Sequence, residues 1–318
     1  MSRKVAEYAF DLHAGLSGHQ VVEFEDLYTI GMAATLAIHI KGLGQIDYEV
    51  LRKVSDHYMS IPFFALERVL RVLEDVSFVR LVENGRKIEK IIPNIPIFDD
   101  VYDVIGSFAS SELLLNEHEK VTVGILETLQ NAPINKDALR NKLGIENAVF
   151  NQCLKITSAS GVVSEQVARG KPMLVSPFYF ADNLDGLVDA AAASGASAIQ
   201  STLEKIKENQ GWPLSLISAT GEIGGKKLDA VEKSLLQKLS TEGVIRPPTI
   251  RFGERAESFV FTPKPGAGRL NAANREIYER AMALISAVRK GQLLPERYKI
   301  KSPVNILRAL RDKGFFEV

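Results

Sequence analysis

The stretch IDYEVLRKVSDHYMSIPFFALERVLRVLEDVSFVRLVENGRKIEKIIP, residues 46–93, decides how the rest of the chain is read. Asp47 has the short acceptor side chain that caps a helix, and Val50, Leu51, Val54 and Tyr58 then recur at helical spacing as its inward face. Pro62 sits where a second helix opens, and Leu66, Val69, Leu70, Leu73 and Val76 predict one buried stripe along it. The pattern then turns strand-like. Phe78 to Val82 and Ile88 to Ile92 are β-rich runs, and Asn84-Gly85 between them is a strong hairpin signal. Upstream, a helix over 2–15 precedes a longer one over Phe24 to Lys41, which Gly42 and Gly44 end. Downstream, Pro93 and Pro96 close the unit, because two nearby prolines cannot continue a paired strand.

Working outward, the same order of signals returns. Glu117 to Gln130 predicts a helix, Asn135 caps a short one ending at Leu143-Gly144, and Glu146 to Ser158 predicts a third with Val149, Cys153 and Ile156 inward. Val162-Val163 begins a strand, Arg169-Gly170-Lys171 turns it, and Met173 to Val175 returns before Pro177. A third passage runs from the helix Ala198 to Glu208 through Trp212-Pro213 to a helix striped by Leu228, Val231, Leu235 and Leu239 and ended by Gly243. Its strands lie on either side of Phe252-Gly253-Glu254, before Pro263. Val79, Val162 and Val244 stand 83 and 82 residues apart in the sequence, which with the shared glycine turn and closing proline argues for repetition. Gly221, Gly224 and Gly225 predict a weakened second helix or a loop in the third passage. Residues 97–115 and 181–197 read as helical connectors, and Lys264 to Gly268 as a flexible linker. Beyond it, Arg275 to Lys290 and Pro303 to Lys313 predict two helices before Gly314-Phe-Phe-Glu-Val318. That ending reads as the last helix and first strand of a fourth unit. Either the chain is a piece of a longer protein, or its last strand pairs with an earlier unit or another subunit.

Helix, tight turn, helix and β-hairpin in this order resemble the winged helix-turn-helix superfamily, here in tandem over 46–93, 117–177 and 198–263. The resemblance implies a mainly helical α+β fold of winged-helix modules, each a three-helix core with a β-hairpin wing, joined by helical connectors. The expected division is 1–96 for an N-terminal helix and the first module, 97–180 and 181–265 for the second and third, and 266–318 for a basic, partial fourth. Winged helices mostly place the helix before the hairpin in the DNA major groove, while others serve as protein docking modules.

Composition narrows the choice. The 318 residues carry 46% apolar and 25% charged residues, enough for a sizeable soluble core, and Lys plus Arg equals Asp plus Glu at 39 each. A zero balance argues against binding nucleic acid through bulk charge but leaves room for a local basic patch. The one cysteine, Cys153, excludes an internal disulfide and a thiolate metal cluster, and fits a reducing cytoplasm. The most lipid-like run, Leu27 to Ile40, is short of a membrane span and reads as a buried helix, and no apolar leader follows Met1.

The helices expected to meet DNA differ among the modules. The first presents Phe63, Glu67, Arg68, Arg71 and Glu74, with acidic groups that phosphate would repel. The second presents Asn147, Asn151, Gln152, Lys155 and Thr157, whose amides suit adenine. The third carries Lys226, Lys227, Lys233 and Lys238, and its hairpin adds Arg246, Arg251 and Arg255. Residues 269–318 hold eleven Lys or Arg against five Asp or Glu, an excess of six that includes Arg289 and Lys290. From these follows the expectation of a cytoplasmic, DNA-associated regulatory or chromosome-related protein that binds duplex DNA through its third module and basic tail. The alternative is an assembly scaffold that grips a protein partner or a second copy of itself.

Catalytic and metal signals are weak. No histidine stands three or four positions from another, Cys153 lies on an inward stripe, and His13 and His19 flank a glycine-rich loop. Gly221 to Lys227 lacks the spacing and the Ser or Thr of a phosphate loop, and Gly266-Ala-Gly268 lacks the strand before it. Asp99, Asp100 and Asp103 suit a helix start, and Trp212 a packing role. The sequence therefore predicts no enzyme, no cofactor, no metal and no membrane span.

Overall fold

Asp47 caps its helix as expected, its carboxylate accepting the Val50 amide at 3.1 Å, and Asn135 does the same for Ala138 at 3.1 Å. These details come from a computed structural model that describes residues 2–19, 21–96, 98–245, 247–252, 254–266 and 272–313, with the side chains of 98, 99, 252, 255 and 272–274 also outside the description. Helix accounts for 59% of the described residues and the sheets are small and antiparallel, so the fold is a mainly helical α+β one.

The elements follow in chain order. Helix α1 (Ser2–Leu16) and a 3-10 turn (Val22–Phe24) precede α2 (Glu25–Ile40), β1 (Ile46–Asp47), α3 (Tyr48–Met59), α4 (Leu66–Asp75), β2 (Val79–Asn84) and β3 (Lys87–Pro93). Next come α5 (Phe98–Glu112), α6 (Glu117–Leu129), β4 (Ile134–Asn135), α7 (Lys136–Leu143), α8 (Asn147–Ala159), β5 (Ser164–Ala168) and β6 (Lys171–Val175). Then α9 (Leu184–Ser194), α10 (Ala196–Glu208), β7 (Trp212–Pro213), α11 (Leu214–Thr220), β8 (Glu222–Ile223), β9 (Lys226–Lys227), α12 (Ala230–Thr241), β10 (Thr249–Phe252) and β11 (Arg255–Val260) follow. Helices α13 (Ala272–Gln292) and α14 (Pro303–Lys313) end the described chain. Residues 314–318, expected to begin a fourth strand, lie outside the described residues.

Three of the sheets have one strand order. The return strand of each hairpin lies in the middle, between the hairpin's outgoing strand and a two-residue strand just before a helix: β1-β3-β2, β4-β6-β5 and β7-β11-β10. Ile46 pairs with Ile91 in the first, and Trp212 with Val260 in the last. The helix before each hairpin also exits alike. The Phe78 amide donates to the Leu73 carbonyl at 2.8 Å, Val162 to Thr157 at 3.0 Å and Val244 to Leu239 at 3.0 Å. Each exit passes through a left-handed residue, Ser77, Gly161 or Gly243, with φ of 61°, 73° and 73°.

The backbone divides into two compact units. One comprises Met1–Gln130, Asn135–Gln166 and Leu174–Phe178, and the other Asn131–Ile134, Val167–Met173 and Tyr179–Val318. In the first, α2 is the central helix: Leu27, Ile30, Ala33, Leu36, Ala37 and Ile40 are all buried, which accounts for the lipid-like run. Bare backbone lets its neighbours approach. A Cβ on Gly31 would stand 2.2 Å from the Ala9 carbonyl oxygen of α1, and one on Gly106 of α5 the same distance from that of Ser2. The buried Glu119 ties α6 to α2, accepting the Asn116 amide at 2.9 Å in a capping box and the Leu27 amide at 2.7 Å. The second unit packs Leu187, Ile199, Leu203, Leu235, Leu239 and Phe259 together as its core. Among the described residues no helix is long and apolar enough to cross a membrane.

Three local expectations change. Val50 and Tyr58 are exposed, and α3 buries Leu51 and Ser55 instead, so its stripe is rotated toward the neighbouring residues. Pro62 does not open α4. It starts a separate turn in which the Ala65 amide donates to its carbonyl at 2.8 Å, and the helix begins at Leu66. The glycines of the third passage form neither a helix nor an open loop. Gly224 and Gly225, at φ 59° and 81°, make the two-residue turn of the hairpin β8–β9, where two successive positive φ values cost glycine little.

Candidate functional site

The third hairpin and its helix hold most of the residues expected to meet DNA, but not all on one element. Asp229 caps α12 and forms a capping box with Glu232, so the helix starts after Lys226 and Lys227, which project from β9. Lys233 lies on the exposed side of α12. It lines a cavity of about 470 Å³ between α11 and α12 with Leu214, Ile217, Leu236, Gln237 and Thr241. Arg251 is exposed on β10. Arg246 lies outside the described residues, and so does the side chain of Arg255, whose backbone pairs with Phe252.

Several of these cations are held by nearby acids. Lys226 pairs with Glu208, and Lys238 lies 2.9 Å from Asp189 and 3.7 Å from Glu242. Asp189 also accepts the Arg169 guanidinium at 2.8 Å, and these two cations keep its carboxyl well below the usual range. At the base of α12, Lys205 donates to the buried Glu232 at 2.6 Å, as does the Ser201 hydroxyl. Burial alone would raise the Glu232 carboxyl. Lys205, Ser201 and the Asp229 amide together hold it below its ordinary value. The exposed pairs of Lys226 and Lys238 are worth only about 0–1 kcal/mol each, yet they cancel the local potential that would draw phosphate. Lys227, Lys233 and Arg251 have no ion pair among the described residues.

In the second hairpin's helix, Asn147 accepts from Arg140 at 3.3 Å and from Asn151 at 3.2 Å, while Gln152 donates to Glu23 at 3.1 Å. Lys155 is exposed. Thr157, expected to face outward, is fully buried and donates to the Cys153 carbonyl at 2.8 Å. Its hydroxyl is satisfied by its own helix, so it can sit inside. Of the basic tail, Lys290 is half-buried, and Arg289 lies over the Trp212 ring with 5.4 Å to its centroid while donating to the Gln210 carbonyl at 3.3 Å. Arg289 thus fastens α13 to β7 and serves the unit's own packing.

The corner between α3 and α4 has another character. Arg68 is gripped by Asp26 at 2.8 Å and by Glu25, and Arg71 by Glu74 at 3.0 Å and by Glu83. Beside these pairs stand Phe63 and Phe64, 57% and 61% exposed, with ring centroids 5.8 Å apart. Phe64 and Val22, which is 87% exposed, flank a cavity of about 410 Å³ whose walls include Tyr28, Met32 and Ala65. Outward Phe63 was legible from helical spacing. Phe64 and Val22 were not, because their exposure depends on the turn at Pro62 and on where the 3-10 turn lies. A second uncovered surface is α14, where no residue is buried and Val304 and Leu307 are exposed.

Among the described residues no three His, Cys, Asp or Glu side chains could share a metal ion. His13 is buried, its Nδ1 2.9 Å from the Thr35 hydroxyl and its Nε2 3.2 Å from the Ser60 carbonyl, and burial lowers its pKa to about 4. A neutral ring carrying its proton on Nε2 donates to Ser60, and its Nδ1 then competes with the Gly31 carbonyl, 2.9 Å from the Thr35 hydroxyl, for that hydroxyl's single proton. Burial likewise raises the Cys153 thiol, which donates to the His118 carbonyl at 3.4 Å. No family model matches this chain, and no curated protein is similar to it in sequence.

Proposed function

We propose that the chain is a tandem winged-helix protein whose task is assembly: it docks a protein partner and carries out no catalysis of its own. Support for the architecture comes from the strand order and helix exit that the three hairpins have in common. Its modules occupy 1–96, 97–180 and 181–265, with 266–318 as a basic appendage, in a reducing compartment such as the cytoplasm.

The observation that carries the docking reading is the outward pair Phe63 and Phe64. In a DNA-reading winged helix this corner opens the recognition helix, where polar groups meet bases and phosphates. Here Phe64 stands beside Arg68, which Glu25 and Asp26 already hold, and Phe63 beside Arg52, Lys53 and Asp56. Phosphate gains nothing there, whereas burial of each ring against a partner stabilises by about 1.5–3 kcal/mol. The test is the native mass of the tagged chain in extracts of its own cells. A complex that exceeds 35.0 kDa, survives added salt and is lost in Phe63→Glu/Phe64→Glu supports docking; a free chain in both cases contradicts it.

A second reading has its own observation. Lys227, Lys233 and Arg251 are exposed and have no ion pair among the described residues, on the hairpin, helix and wing that a DNA-bound third module would use. In this reading they contact the phosphates of duplex DNA. Binding that falls steeply with salt, and by roughly tenfold in Lys233→Glu/Arg251→Glu, is the expected result, and undetectable duplex binding at low salt rejects it.

A further inference from the structure

The two uncovered apolar surfaces carry opposite charge, and from this we infer that each is the other's partner: α14 of one copy docks on the Phe63–Phe64 corner of a second copy. The inference rests on the docking reading above and names its occupant. Between residues 293 and 313 the chain has six Lys or Arg and two Asp or Glu, a balance of +4, of which α14 itself supplies three Lys or Arg against Asp312, the partner of Arg311. Around the corner, residues 22–26 and 47–68 together have three Lys or Arg and seven Asp or Glu, a balance of −4. On the basic helix Val304 and Leu307 are exposed with Arg308 and Arg311 beside them, Ile306 and Leu310 are half-buried, and none of its residues is fully buried. The corner offers Phe64 and Val22 over a cavity of about 410 Å³, rimmed by Glu25 and Arg68, with Phe63 outward beside Arg52, Lys53 and Asp56. An amphipathic helix laid into an apolar groove is a common recognition mode, and opposite potentials speed the encounter and disfavour like-with-like pairing. Two different patches in one chain make a heterologous contact. Copies then add head to tail, closing into a ring where the geometry permits and extending where it does not.

The experiment uses the purified full chain in sedimentation velocity from dilute solution to about 100 µM, a range in which micromolar association is visible. The expected result is growth beyond 35.0 kDa with concentration, weakened severalfold between about 0.1 and 0.5 M salt as screening tightens. Phe64→Glu and Leu307→Glu should each remain monomeric alone, and mixed together they should form a 1:1 pair and nothing larger, because one copy keeps the helix and the other the corner. Phe64→Ser and Leu307→Ser replace them if circular dichroism shows either glutamate variant unfolded. A wild type that stays monomeric overturns the inference. So does association of either single variant alone, or a mixture that fails to pair. If the purified chain is monomeric while the extract complex persists and still needs Phe63 and Phe64, the self-pairing fails and the docking reading stands; if neither complex exists, both fail.

Discussion

The first and third hairpin units differ most at one corner, the link between the two helices that precede the hairpin. In the first, Ser60 to Ala65 makes that link and turns two phenylalanines outward. In the third, β8 and β9 make it and turn two lysines outward. The surrounding framework is alike, with the same strand order and the same exit from the following helix. A shared scaffold therefore fixes where the corner lies, and a handful of side chains decides whether it suits an apolar partner or a phosphate.

The largest expected effect concerns what supports the first corner. His13 donates to the Ser60 carbonyl from a buried, neutral state with a pKa of about 4, against 6.5 for a free imidazole. Between those values the unfolded chain binds a proton that the folded one does not. Stability from this group is thus complete above 6.5 and falls as pH drops toward 4, by roughly 3 kcal/mol. All five histidines precede residue 119, and Trp212, the only tryptophan, belongs to the other unit. Melts between pH 7 and 4 should therefore lose circular dichroism before tryptophan fluorescence changes, and His13→Gln should narrow that gap. Simultaneous loss by both probes would break the distinction between the regions.

A smaller effect is expected at the third corner. Gly225 has φ 81° with open space where a Cβ would stand, so Gly225→Ala meets backbone strain alone and should cost about 1 kcal/mol in denaturant melts. An unchanged midpoint would mean that the hairpin does not hold the corner. Smallest of all is the cost of polar residues at the first corner. Phe63→Ser and Phe64→Ser should change stability by less than about 0.5 kcal/mol, because the rings are outside the core. A loss of several kcal/mol would make them core residues and remove the docking surface.

Much of the framework was legible because its signals are local. Asp47 and Asn135 announce helix starts, Leu66 to Leu73 declares a stripe, and Arg169-Gly170 takes two positive φ values at a hairpin turn. The capping boxes at Asn116/Glu119 and Asp229/Glu232 went unread in the sequence, and the second starts α12 beyond Lys226 and Lys227, which the sequence reading places on that helix. What decides the candidate surfaces is not local. Lys238 meets Asp189 49 residues away, and Gln152 meets Glu23 across 129 residues. Charge counting treats such cations and amides as free, while the fold has already given them partners. Val50 and Tyr58 mislead for a related reason: a helical repeat tolerates a rotated stripe, and only the packing around Leu51 and Ser55 selects one.

Oxidative footprinting of the assembled chain against the dilute chain tests most directly whether the first corner is a docking surface. The account predicts severalfold protection of Phe63 and Phe64 on assembly, with exposed Tyr298 and Leu307 protected in parallel and Lys233 and Arg251 still open to charge-selective labelling. Equal labelling of Phe63 and Phe64 in the two states would contradict it.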